Sequence, residues 1–323
     1  MAKHLQDKVT HSRKALPLVM VYGLLVWFAS GALHPFYPLE SQGLTNFAWV
    51  QLAGFLLSAM LMMYLNRLYS LVRVYSRSVS CMFILLSCAA CFQFNSIEGH
   101  ILSLCILSSF LLLFHTFQNT ETPGWTFYAF LCIGMASLVF FQVVAYVPLF
   151  WLFMITLLNS FGWRTFLASL TGLLTPYWFV ATAAVAKGNW KPMIEQMKGL
   201  ADWQILTGYH QLTVNQLLSL ALIVVFALMG IIHFRLNSYK DKFQTRVFYN
   251  CFIYTTLLTM AFIALAPAYF DGLLRILIIC ASPLFGHFIA LTYTRATNVV
   301  FIVAMVAILL LTMLNLWMPS LTF

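Results

Sequence analysis

What most constrains this chain is a succession of apolar runs, each about as long as a bilayer is thick, with only short polar turns between them. A helix needs about 20 apolar residues to cross a hydrocarbon core of roughly 30 Å. Runs of that kind fall at about 15–33, 47–65, 79–95, 100–117, 126–141, 143–160, 166–186, 213–234, 247–266, 272–290 and 298–317. Charged residues are 8% of the chain, against about 25% in an ordinary soluble domain. A soluble core of 323 residues could not bury a surface that is 62% hydrophobic. The chain therefore reads as all-α, a polytopic transmembrane helical bundle of about eleven spans, and as a single membrane domain over residues 1–323 in contact with membrane lipid. The stretch 126–160 reads either as one long tilted helix or as two short ones divided near Gln142, with a kink at Pro148. The first run, Ala15 to Leu33, is longer than the apolar region of a usual signal peptide, so a retained first helix is expected.

The formal charge of +9 raises the question of a nucleic-acid partner, and the placement of the charges answers it in the negative. With the N-terminus in the cytoplasm, thirteen of the seventeen Lys and Arg fall on the inner side, as the positive-inside rule requires. Lys187, Lys191, Lys198 and Arg275 are the exceptions. The same count puts the C-terminus outside and needs 126–160 to be two spans. Five of the eight acids, Glu40, Glu98, Glu195, Asp202 and Asp271, then lie on the thinly charged outer side.

The longest outer loop, 187–212, carries Met193, Met197, Leu200 and Trp203 at helical spacing with Lys191, Glu195 and Lys198 between them. That pattern predicts an amphipathic helix lying on the interface. The seven cysteines all fall in apolar runs, and Cys88-x-x-Cys91 has no partner pair, so it reads as packing rather than as a redox or metal motif. His115, His233 and His287 read as single interface residues near inner ends rather than as a proton relay.

Three constellations carry candidate chemistry. Glu40 sits in the Pro-bounded loop His34-Pro35-Phe36-Tyr37-Pro38-Leu39-Glu40, placed to enter a cavity between helices. Glu98 lies in a second short outer loop, Asn95-Ser96-Ile97-Glu98-Gly99-His100. Two acids from separate loops can share a divalent cation, with His34 and His100 as further ligands, or divide base and metal-holding roles. No HExxH, DxD or close His pair accompanies them. The third is Asp271-Gly-Leu-Leu-Arg275, where spacing of four puts acid and base on one helix face. Arg275 then lies about one turn inside the boundary and faces the bundle. An ionisable residue there is a functional candidate, and a guanidinium suits bidentate binding of a phosphate.

In its order of parts the chain resembles the GT-C superfamily of membrane glycosyltransferases. The likeness is nearest to the branch that uses polyprenyl-phosphate sugars, such as protein mannosyltransferases and aminoarabinose transferases. The residues that carry it are Glu40 after the first helix, the basic turn Asn66–Arg77, the second acid Glu98 and the paired short helices of 126–160. Trp163-Arg164, Thr175-Pro176-Tyr177-Trp178 and Arg275 before Pro283 complete the pattern. The family usually has Asp, often Asp-Glu, where Glu40 stands alone before Ser41, and this chain is short for the family. A second likeness, to small inner-membrane proteins of Bacteroidota with the same span order, assigns no chemistry.

The first resemblance implies a multi-pass enzyme of a bacterial inner membrane. It would move a sugar from a polyprenyl phosphate to an envelope glycan or lipid acceptor. Glu40 and Glu98 would be the catalytic acids, with Glu40 as general base or metal holder. Arg275, with Lys191 or Lys198, would hold the donor phosphate, and 187–212 would cover the site. The rival expectations are a transporter or flippase and a non-catalytic assembly partner. Against the transporter, no internal repeat or matching pair of broken helices is visible.

Overall fold

The computed structural model describes Gln6, Ser12 and residues 14–33, 44–74, 76–188 and 212–317. His34 and Glu40 lie outside the described residues, as do Lys191, Lys198 and nearly all of the predicted interfacial helix. The described residues form eleven α-helices and no strand. They are α1 (Ala15–Leu33), α2 (Leu44–Tyr69), α3 (Ser78–Ala89), α4 (Ile97–His115), α5 (Pro123–Val139), α6 (Val147–Leu152), α7 (Trp163–Lys187), α8 (Val214–Asn237), α9 (Phe243–Leu265), α10 (Phe270–Leu291) and α11 (Arg295–Trp317). Seven of them are long and apolar enough to cross a membrane. Four shorter apolar helical stretches accompany them, one ahead of the first and three between, so the chain is a helical membrane protein.

Contacts between turns define two ends. At one, Arg73 Nη1 donates to the Lys240 carbonyl at 3.4 Å, Gln118 N to the Leu158 carbonyl at 2.7 Å, and Gln6 N to Asn298 Oδ1 at 3.0 Å. Arg67, Arg77, Arg164, Lys242 and Arg295 belong to the same set of turns, which is why we call this the basic end. At the other, the cavity end, the α3–α4, α5–α6 and α9–α10 junctions and the start of α8 meet around a common cleft.

Local sequence sets the helix boundaries. Ser96 caps α4 by accepting from Gly99 N at 3.0 Å. Thr213 and Gln216 form a reciprocal capping box at the start of α8. Pro123 opens α5 at a position where no N–H is needed. Gly188, at φ +64°, ends α7 in the left-handed conformation that costs other residues most.

The bundle is organised around α10, whose membrane-length window is wholly buried. From Leu273 to Leu291 every residue but Phe288 is buried, as in a helix surrounded by others. It packs against α3, α4, α8 and α9. Small residues permit the close approach: a Cβ at Gly286 would lie 2.8 Å from Val79 Cα, and one at Gly230 would lie 2.5 Å from the Leu284 carbonyl carbon. Aromatic rings fill the adjoining core, with Phe114 stacked on Phe248 at 4.2 Å and Phe226 on Phe285 at 4.3 Å. By contrast α7 exposes Leu174, Trp178 and Phe179, a surface that only lipid or another apolar body can cover.

Three details depart from the sequence expectations or resolve them. The stretch 126–160 is two segments divided at Phe140, whose extended backbone ends α5. The second segment runs as a 3₁₀ turn, then α6 with Pro148 in its first turn, then a π turn over Phe153–Leu157. The run 79–95 is not one helix. It leaves helical geometry at Ala90 and continues as a 3₁₀ turn over Cys91–Asn95, because neighbouring side chains capture its carbonyls. Asn315 Nδ2 donates to the Ala89 carbonyl at 2.7 Å and Gln51 Nε2 to the Asn95 carbonyl at 2.9 Å. His100 Nε2 lies 3.0 Å from the Phe94 carbonyl. Irregular backbone at membrane depth persists where protein groups satisfy it in this way. Finally, His233 and His287 are not isolated. His287 Nε2 lies 3.1 Å from Asp241 Oδ2, and the two imidazole rings are 5.7 Å apart. The intervening chain returns the 238–242 turn beneath the end of α10, which sequence separation concealed.

Candidate functional site

The cavity end holds a cleft of about 340 Å³ between α4, α5, α8 and α10. Ser96, Glu98, Gly99, Gln216, Asp271 and Arg275 supply its polar wall, and Phe140, Tyr269 and Phe270 supply aromatic wall.

Each polar residue is positioned by the break that precedes it. The Ser96 cap starts α4, which sets Glu98 in the first turn, exposed, where the helix dipole favours a carboxylate. The 3₁₀ turn Pro267–Tyr269 starts α10, which puts Asp271 in its first turn and Arg275 one turn deeper. Asp271 is exposed at the rim, whereas Arg275 is only 7% exposed. The cleft is thus acidic at its mouth and cationic at its base.

Arg275 is held by two features absent from the sequence reading. Its Nη2 donates to the Gln93 carbonyl, while Gln93 Nε2 donates to the Asp271 carbonyl at 3.2 Å. Gln93 therefore clasps α10 through both its backbone and its side chain. The guanidinium also lies directly against the Cα of Gly99, where any Cβ would overlap it. The sequence does carry signals for both: an amide inside an apolar run, and a glycine directly after the candidate acid.

Asp271 and Arg275 share the cavity wall, but the guanidinium turns to the Gln93 carbonyl instead of closing an ion pair with Asp271. Among the described residues, the ion pairs formed are those of Asp241 with Arg73 and His287. A guanidinium has five N–H donors, and the bond to Gln93 uses one of them, so several remain for an anion in the cleft.

His100 is brought close to Arg275 but on its far side. It begins one turn into α4, is buried, packs over Gly54 and is engaged with the Phe94 carbonyl. With Ser58, Ser87 and Gln93 it lines a second, much smaller void of about 20 Å³. Arg275 forms the partition between the two spaces.

Among the described residues, no group of three or more His, Cys, Asp and Glu side chains is arranged to hold a metal ion. The arrangement that is present can hold an anion at Arg275 and present a carboxylate to a group bound above it.

No family model, no curated protein and no solved structure matches this chain.

Proposed function

We propose that this chain is a GT-C-like glycosyltransferase of a bacterial inner membrane, with the basic end in the cytoplasm and the cavity end outside. In this reading it passes a sugar from a polyprenyl-phosphate donor to an envelope glycan or lipid acceptor. What supports the reading is one observation: Glu98 and Arg275, far apart in the chain, line a single cleft with Asp271 beside them.

In that cleft Arg275 grips the donor phosphate, since a planar guanidinium pairs with phosphate oxygens two at a time. Developing charge on the phosphate leaving group is then stabilised by a group already in place. Glu98 serves as a carboxylate at the mouth, placed to take the proton from an acceptor hydroxyl alone or together with Glu40. Asp271 orients donor or acceptor from the opposite wall. Lys191 and Lys198 would supplement Arg275 from the covering segment. A divalent cation, if used, would be shared between Glu40 and Glu98.

The test is transfer of a labelled sugar from polyprenyl phosphate in membranes containing the protein. Glu40→Gln and Glu98→Gln should each lower the rate by about 10²-fold or more, the usual scale of positioned acid–base catalysis. Glu121→Gln, at the opposite end, should leave it unchanged. Full activity in both outer-acid variants would sink the proposal, and headgroup-dependent lipid movement without transfer would favour a flippase.

A further inference from the structure

A groove of about 70 Å³ opens at the basic end between α1, α3, α10 and α11, and the proposed transfer does not use it. Its floor is one face of α3. Ser78, Cys81, Met82 and Leu85 follow one another at steps of three, one and three, the spacing that sets side chains on the same side of a helix. The helices α1 and α11 form its walls, with Val19 of α1 half-buried on the open side. From Arg77 to Leu85 the groove follows α3 for about 12 Å. Apart from Arg77 and Ser78 at its head, the lining is apolar throughout.

That head is polar in a particular way. Ser78 is 7% exposed, and its hydroxyl is buried with no hydrogen-bond partner among the described residues. A buried orphan of this kind asks for a reason. Ser78 is also the first residue of α3. Its N–H is taken up by Ser76 Oγ at 3.2 Å, but Arg77, at the capping position, makes no side-chain capping bond. The start of a helix carries the positive end of its dipole and favours an anion. Arg77 adds a full charge there, and Lys14 directly precedes Ala15, another lining residue. A hydroxyl, a positive helix end and a guanidinium therefore stand together where an apolar groove reaches the basic end.

We propose that this groove binds an anionic phospholipid from the leaflet at the basic end. One acyl chain lies along α3 on Cys81, Met82 and Leu85. The phosphate sits over the start of α3, accepting from the Ser78 hydroxyl and from the Arg77 guanidinium. Charge selects this occupant, because a zwitterionic lipid would bring its own cation to a head that is already positive. A water-soluble phosphate would satisfy the head and leave the apolar floor uncovered. The bound lipid ties α1 and α11, the first and last helices among the described residues, to α3. This site is independent of the transferase reading, since it lies at the other end of the bundle and needs no sugar donor.

The experiment is native mass spectrometry of the full-length protein in detergent, stripped of lipid and titrated with phosphatidylglycerol or with phosphatidylcholine of the same acyl chains. The first phosphatidylglycerol should bind about tenfold more tightly than the first phosphatidylcholine, the scale of one hydrogen bond to a charged group. Arg77→Gln should remove that preference. Ser78→Ala, which deletes a hydroxyl buried without a partner and so should fold, should weaken phosphatidylglycerol about fivefold. Val19→Trp, which fills the groove from its open side, should weaken both lipids. Arg164→Gln, an exposed charge on another turn of the same end, should change neither. Equal affinity for the two lipids in the wild-type protein overturns the proposal. So does an unaltered affinity for phosphatidylglycerol in Ser78→Ala, or a loss in Arg164→Gln as large as in Arg77→Gln. Glycerol phosphate binding as tightly as the whole lipid would also overturn it, leaving a site for free phosphate.

Discussion

At one end of α10 a guanidinium opens onto a cleft of about 340 Å³; at the other, twelve residues on, an imidazole is shut in by a carboxylate and aromatic rings. The two groups are about 18 Å apart along one helix, and both are nearly inaccessible. The difference lies in their surroundings. His287 is faced by a carboxylate and enclosed by Phe234 and Tyr249. Among the described residues Arg275 is anchored through one hydrogen bond, to the Gln93 carbonyl, and the guanidinium borders open volume with two carboxylates at the rim. A buried charge closed upon a partner acts first on structure, whereas one held in place yet left open is available to a ligand. Burial alone does not separate the two roles; the free donors do.

That contrast can be broken in order of expected effect. Asp241→Ala should be the most damaging single change, lowering stability by about 3 kcal/mol, because removing one member of a buried pair strands the others. Thermal unfolding in detergent reads it, and a melting temperature equal to wild type would remove the structural role assigned to the basic end. Gly99→Ala comes next. Its Cβ overlaps the Arg275 guanidinium, so the clasp on Gln93 must shift, at about 1–3 kcal/mol for overpacking. Gly124→Ala, with nothing within 4 Å of the new methyl, should cost nothing and serves as its partner measurement. Glu98→Gln should leave the melting temperature unchanged, since the side chain is exposed, while abolishing most sugar transfer. If it destabilises the fold without touching transfer, the cleft belongs with the basic end as structure.

Much of this architecture could be read from the chain because lipid makes a simple demand. Runs of apolar residues interrupted by Arg67, Arg73 and Arg77, or by Lys240 and Lys242, leave few choices about where helices stop. The place of Arg275 inside the bundle followed in the same way from its spacing to Asp271. What escaped were contacts made by residues distant in sequence. Asp241 stands between two lysines and looks like a solvated turn acid, and nothing local tells that His287 closes over it. The break at Ala90 is hidden for a similar reason. Cys88 to Phe94 is apolar but for Gln93, and donors from α2, α4, α8, α10 and α11 make its irregular path affordable. Glu40, Lys191 and Lys198 belong to segments outside the described residues, so their share in the site rests on the sequence pattern alone.

The captured carbonyls of 89–95 also bear on the order in which the molecule can be made. As the chain leaves the ribosome, α3 enters the bilayer with about 18 Å of α-helix, too little to span it. Its continuation holds backbone acceptors whose donors have not all been synthesised. Gln51 is already present, His100 follows at once, but Arg275 and Asn315 arrive 182 and 226 residues after the carbonyls they reach. Until α10 and α11 dock, that stretch must stay near headgroup water or borrow a partner from the insertion machinery. Truncation before α11 should therefore leave α3 unsettled as well as shortening the chain. The 89–95 stretch is then completed late, with α11 sealing a defect opened by α3.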